Sequence, residues 1–201
     1  MKFLLGKKKE MTRIFEDDGT VVPVTVVTAG PCTVTLVRTL EKDGVNAVQI
    51  GFGVKKKLGK QQAGHLKNLP QHPTLQEFHI EKPEDFERGK TLDVTQFEKG
   101  DAVKVIGTSK GRGFAGVVRR HGFKGTRATH GNKDQLRMPG SIGATDPARV
   151  FKGTRMGGRM GGEQVTQPHL RIVGVNPEKH ELLISGAVPG ARNSLLTIVS
   201  E

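Results

Sequence analysis

Apolar positions along this chain fall in short runs, and most of the runs have the period of a β-strand. "VVPVTVV" (Val21 to Val27) and "TVTLV" (Thr33 to Val37) are rich in β-branched residues and are separated by "TAGPC", a turn signal. "NAVQIGF" (Asn46 to Phe52) alternates as a half-buried strand does. "TLDVTQF", "EKGD" and "AVKVIG" together predict a hairpin over 91–107. Towards the end, "LRIVGV", "ELLISGAV" and "SLLTIV" are three further strand candidates, joined by "NPEKH" and "PGARN". The one clear helix signal is "KPEDFERG", with Pro83 at the first helical position, acids in the first turn and Gly89 as a stop. The fold class expected is mainly β: a small antiparallel β-barrel with short helices and a long, extended basic loop.

Between the two groups of strands the pattern changes. From Phe123 to Gly162 there is no sustained period of 2 or 3.6. A loop of that length inside a compact domain is normally functional or disordered. Strand candidates lie on both sides of it. The expected organisation is therefore one barrel begun by residues 1–106, with a small helical or loop elaboration around 55–90, and completed by residues 163–201. Residues 107–162 would be inserted in that barrel, project from it, and order only against a partner.

Charge sharpens this division. The net charge is +12, which points to a polyanionic partner. Lys110, Arg112, Arg119, Arg120, Lys124, Arg127, Lys133, Arg137, Arg149, Lys152, Arg155 and Arg159 all lie in 107–162, opposed only by Asp134 and Asp146. These 56 residues thus carry +10, while the rest of the chain carries +2. They also hold 14 of the 27 glycines, which permit close backbone approach to a ligand. Arginine matches phosphate oxygens in a bidentate manner, so nucleic acid is the expected partner. "KKKLGK" (Lys55 to Lys60) is either a solvated loop or a second phosphate contact. No run of 18 apolar residues exists, so no membrane-spanning helix is expected. "MKFLLGKKKEM" has only three apolar residues in a row and is not read as a signal peptide. The single cysteine, Cys32, is expected to be a small buried hydrophobe.

Several chemistries can be weighed against the same residues. Gly111-x-Gly113-x-x-Gly116, after "DAVKVIG", spells a dinucleotide-binding fingerprint, but only "VVRRH" follows before Gly122, too short for the required helix. No Walker loop occurs. "KGRGFAGV" (Lys110 to Val117) partly matches an RNA-recognition motif, yet places Arg112 and Val117 where stacking aromatics belong. "PGSIG" puts Ser141 near glycines, but Pro139 replaces the first glycine of a nucleophile elbow. His65, His72 and His79 are seven apart, and Pro70 and Pro73 break any helix that would align them on a metal. His121 and His130 lie in the basic segment, where they are candidate neutral donors to RNA. No catalytic residue, metal or cofactor is expected.

The order of the motifs resembles one family. "KKKEMTRIF", "VVPVTVVTAGPC", "AVQIGFG", "GHLK", "SKGRGFAGVVRRHGFKG", "THG", "PGSIG", "RVFKG", "MGGRMGGEQVT" and "LLISGAVPGA" are similar, in that order and over nearly the whole chain, to the ribosomal protein L-three family of the large subunit, in its bacterial or organellar form. The resemblance implies a barrel of the kind shared with translation factors. It also implies an extension running through ribosomal RNA towards the peptidyl transferase centre, and a role early in subunit assembly. The partners implied are large-subunit rRNA and neighbouring ribosomal proteins, on a cytoplasmic or organellar ribosome, with no membrane and no homo-oligomer. The RNA, not the protein, would do the chemistry. Lys110, Arg112, Arg119, Arg120, His121, Lys124, His130, Arg137, Arg149, Lys152 and Arg155 fall in matching motifs and are expected to face RNA; Arg127, Lys133 and Arg159 join them on charge. Phe114, Phe123 and Phe151 match family aromatics, with Phe114 expected in the barrel core. Two departures stand out. Glu10 replaces a usual glycine, so a different local turn is expected. "GATDPARVF" is one residue shorter than common bacterial versions and lacks a glutamine that some members methylate, so no such modification is expected here.

Overall fold

The structure is a computed structural model describing residues 1–201. In chain order the strands are β1 (Phe3–Phe15), β2 (Val21–Ala29), β3 (Cys32–Arg38), β4 (Ala47–Phe52), β5 (Thr74–His79), β6 (Thr91–Leu92), β7 (Ala102–Thr108), β8 (Phe114–Ala115), β9 (Gly158–Arg159), β10 (Gln164–Asn176), β11 (Glu181–Ser185) and β12 (Leu195–Ser200). Three short helices accompany them: α1 (Leu40–Asp43), α2 (Lys60–His65) and α3 (Val117–His121). No helix is long and apolar enough to cross a membrane. The chain divides into two compact units, residues 1–108 with 164–201, and residues 109–163.

In the first unit six antiparallel strands hydrogen-bond in the order β1-β12-β7-β10-β11-β2, and the ring closes where β2 pairs with β1. Period-2 alternation explains its filling. Val103 and Val105 of β7, Leu170 and Ile172 of β10, Leu182 and Ile184 of β11, and Leu196 and Ile198 of β12 are all buried. β1 breaks the alternation: Phe3, Leu4, Leu5 and Gly6 are buried in succession. The reason is a second sheet, ordered β5-β4-β3-β6. The Phe3 ring stacks on Phe78 of β5 at 4.4 Å and on Phe86 at 5.6 Å, so β1 buries both of its faces there. Cys32 begins β3 in the same core, its Sγ donating to the Leu5 carbonyl at 3.6 Å.

Three local expectations are corrected. The hairpin over 91–107 does not form. β6 pairs with β3, a single 3₁₀ turn follows at Val94–Gln96, and β7 pairs instead with β12 and β10. "EKGD" does make a turn, with Asp101 N donating to Glu98 O at 3.2 Å, but Val94 and Phe97 are buried and Gln96 Nε2 donates to Phe3 O at 2.9 Å. Burial of that stretch takes it out of any ladder with β7. The predicted helix at Pro83 shrinks to one 3₁₀ turn, Pro83–Asp85; Phe86 is already extended, and its packing on Phe3 outweighs a helix too short to nucleate well. Glu10 lies in no turn. It sits in β1 beside a bulge, where Lys8 opposes Val27 and Glu10 opposes Val26. The extra residue, Lys9, reaches Glu181 at 2.7 Å; this hydrogen bond, and then the charge of Glu181, raise the Lys9 pKa.

Candidate nucleic-acid interface

Strands β7 and β10 are register partners at Thr108 and Gln164. The intervening residues 109–163 therefore begin and end side by side, and the second unit opens as a narrow two-stranded stem. Ser109 N donates to Glu163 O at 2.8 Å, Arg112 N to Met160 O at 2.8 Å and Met160 N to Gly113 O at 3.0 Å. β8 and β9 continue it, with Phe114 opposite Arg159 and Ala115 opposite Gly158. Gly161 is needed in this stem: its φ is 73°, and a Cβ there would run into the Lys110 carbonyl.

α3 follows β8 directly and fastens the stem from one side. Arg120 Nη1 donates to the Met156 carbonyl at 2.9 Å, and His121 Nε2 donates to the same oxygen at 3.0 Å. Two residues expected to face RNA are thus also engaged within the chain. Nothing in the sequence marked Met156 as their partner, since the contact joins positions 35 and 36 residues apart. Beyond the stem the chain is almost without a core: Ala115 and Val117 are the only buried residues of 109–163.

All twelve Lys and Arg of this unit are exposed: Lys110, Arg112, Arg119, Arg120, Lys124, Arg127, Lys133, Arg137, Arg149, Lys152, Arg155 and Arg159. None of them forms an ion pair; the six salt bridges of the molecule all lie in the other unit. His130 is also exposed and His121 half-buried. Arg149 lies over the Phe151 ring, 5.5 Å from its centroid, and Phe151 is 55% exposed. Phe114 is not a core residue, contrary to expectation. It is 82% exposed, because it falls on the outward side of a two-residue strand whose inward neighbour, Ala115, takes the buried position.

The rival chemistries are not assembled. After the GxGxxG glycines α3 is five residues long, and the strands around it pair antiparallel, so no βαβ unit exists. The RNA-recognition match fails similarly: Val117 is buried in α3 rather than displayed on a sheet. Ser141 Oγ donates to Gly143 O at 3.2 Å and has no base beside it. His65 is hydrogen-bonded to Gln49, His72 is buried with Nδ1 donating to Gly53 O at 2.6 Å, and His79 is exposed on β5. The Lys55 to Lys60 stretch is loop up to Gly59, with its lysines exposed.

An interface built of unpaired cations on a coreless, glycine-rich segment can be compared with known proteins. The family model described as "Ribosomal protein L3" matches residues 74–188. The chain belongs to the ribosomal protein L3 family. Its similarity to curated members runs end to end. It is 49% identical to "Large ribosomal subunit protein uL3" of Chlorobaculum tepidum over 100% of this chain and 99% of that one. It is 50% identical to the protein of the same name from Heliobacterium modesticaldum, over 99% and 96%, and 47% identical to that of Thermotoga maritima, over 100% and 97%. As an L3-family chain it has both the strand-rich unit and the basic unit within the aligned length.

Proposed function

We propose that this chain is a structural constituent of the large ribosomal subunit that binds large-subunit rRNA through residues 109–163. The observation that carries the reading is the set of twelve exposed cations, free of ion pairs, in one unit of an L3-family chain. Exposed arginine and lysine beside flexible backbone neutralise phosphates and release counterions. The closed six-stranded ring is read as a barrel of the kind shared with translation factors, serving as the anchor of the protein. The basic unit, ordered fully only in contact with RNA, braces rRNA from within and extends towards the peptidyl transferase centre. Lys110, Arg112, Arg119, Lys124, Arg127, His130, Lys133, Arg137, Arg149, Lys152, Arg155 and Arg159 make the RNA contacts. Arg120 and His121 divide their donors between RNA and Met156. The protein acts early in subunit assembly, has neighbouring ribosomal proteins as its other partners, works on the cytoplasmic ribosome and catalyses no reaction.

Ultraviolet crosslinking of the tagged chain in cells, followed by sequencing of the attached RNA, tests this. Reads concentrated on a few large-subunit rRNA sites, with the basic unit mapping beside the peptidyl transferase region, are the expected result. Reads scattered over messengers, or mostly DNA, would replace this reading with that of a general nucleic-acid chaperone.

A further inference from the structure

We propose that the segment 123–140 forms a notch that takes one unpaired nucleobase of RNA. The proposal rests on the rRNA reading above and names a base-binding subsite within it. Thr126 ties two stretches of chain together: its N–H donates to Leu136 O at 3.1 Å and its Oγ1 to Gln135 O at 2.9 Å. Asn132 Nδ2 closes the loop between them on Arg127 O at 2.9 Å. Gly125 has φ 72°, and a Cβ at this position would collide with the Leu136 carbonyl oxygen. Only glycine lets the two stretches lie this close.

Between them is a hollow of about 520 Å³ with Phe123 and Met138 in its walls. Phe123 neighbours His121. Its ring is 6.0 Å from that of His121, inclined at 47°, and His121 is itself fastened to the Met156 carbonyl. An aromatic face and a polarisable thioether suit the flat π-face of a base. Thr126, Gln135 and Lys124 also line the hollow; a side-chain amide can meet the hydrogen-bonding edge of a base, and an ammonium the attached phosphate. No carboxylate lines the hollow, and every cation of the unit lacks an acidic partner. Those surroundings favour a nucleotide over a protein segment as the occupant.

The test compares two ligands of equal charge, a short oligoadenosine and an abasic ribose-phosphate oligomer of the same length, binding to the full chain. The expected result is a preference of about tenfold for the oligomer that carries bases, within the range that one stacked base supplies. Phe123→Leu, which keeps an apolar side chain but removes the π-face, and Met138→Ala should each reduce that preference while leaving abasic binding and its salt dependence unchanged. Equal binding of the two ligands by the unaltered chain overturns the notch and leaves the phosphate reading standing. A preference that survives in both variants overturns it as well. Failure to bind either ligand at low salt would instead remove the rRNA reading on which the proposal rests.

Discussion

Gly51 lies under the imidazole of His72, and the pair shows how tightly the smaller sheet is built. A Cβ at residue 51 would stand 2.5 Å from His72 Cδ2, and His72 is only 3% exposed. Gly51→Ala must therefore displace a buried ring, at an expected cost of about 1–3 kcal/mol; urea unfolding of the variant checks this, and an unchanged midpoint would refute it. Cys32 makes a second residue-scale prediction. Burial raises its pKa from 9.0 to about 11. The folded chain holds the proton more tightly than the unfolded one, so this group contributes its full stability below pH 9 and loses it progressively as pH rises from there towards 11. The thiol is expected to resist iodoacetamide at pH 8 in the native state and to react only in denaturant. Native-state labelling at the unfolded rate would contradict this.

At the scale of elements, the two units are stabilised by different means. The ring and the second sheet share one contiguous apolar core, whereas residues 109–163 have a short ladder, a five-residue helix and the Met156 clasp. Two buried side chains cannot offset the conformational entropy of fixing so long a segment. A peptide of residues 109–163 should accordingly give a coil-like circular dichroism spectrum in low salt, and stable secondary structure there would show that the unit orders itself. The failed hairpin at 91–107 is the instructive case among the strands. Its local signals are sound, but a strand pairs where its apolar residues are buried, and Val94 and Phe97 are drawn into the core next to β1 rather than alongside β7.

At the scale of the whole molecule, opposite charges are matched in one unit and left unmatched in the other. Lys2 with Asp101, Lys9 with Glu181, Arg38 with Glu77 and Arg171 with Glu16 bring cation and acid together across the folded strands. The twelve cations of 109–163 share that unit with only three acids, Asp134, Asp146 and Glu163, and pair with none of them. If about eight of them touch phosphate, a plot of log affinity against log salt should fall with a slope of roughly −6 to −7, at roughly 0.7 to 0.9 per contact. Titration against large-subunit rRNA measures this, and a slope shallower than about −2 would show that charge is not what holds the RNA.

The linear sequence by itself determined the strand-rich character of the chain, the position of most strands and the segregation of charge. Alternation and composition are local properties, readable in β2, β3, β4, β7, β11 and β12 without any knowledge of partners. It also carried enough ordered motifs to indicate the family. The tertiary structure alone decided which strands meet. β6 and β7, nine residues apart, enter different sheets, while Thr108 and Gln164 become neighbours across 55 intervening residues. It also decided which functional groups are already engaged: Arg120 and His121 read as two more cationic or polar donors until Met156 is found beside them. Phe114 likewise looked like a core residue until the two-residue length of β8 turned it outward. Pairing and burial depend on segments that are remote along the chain, so no local pattern specifies them.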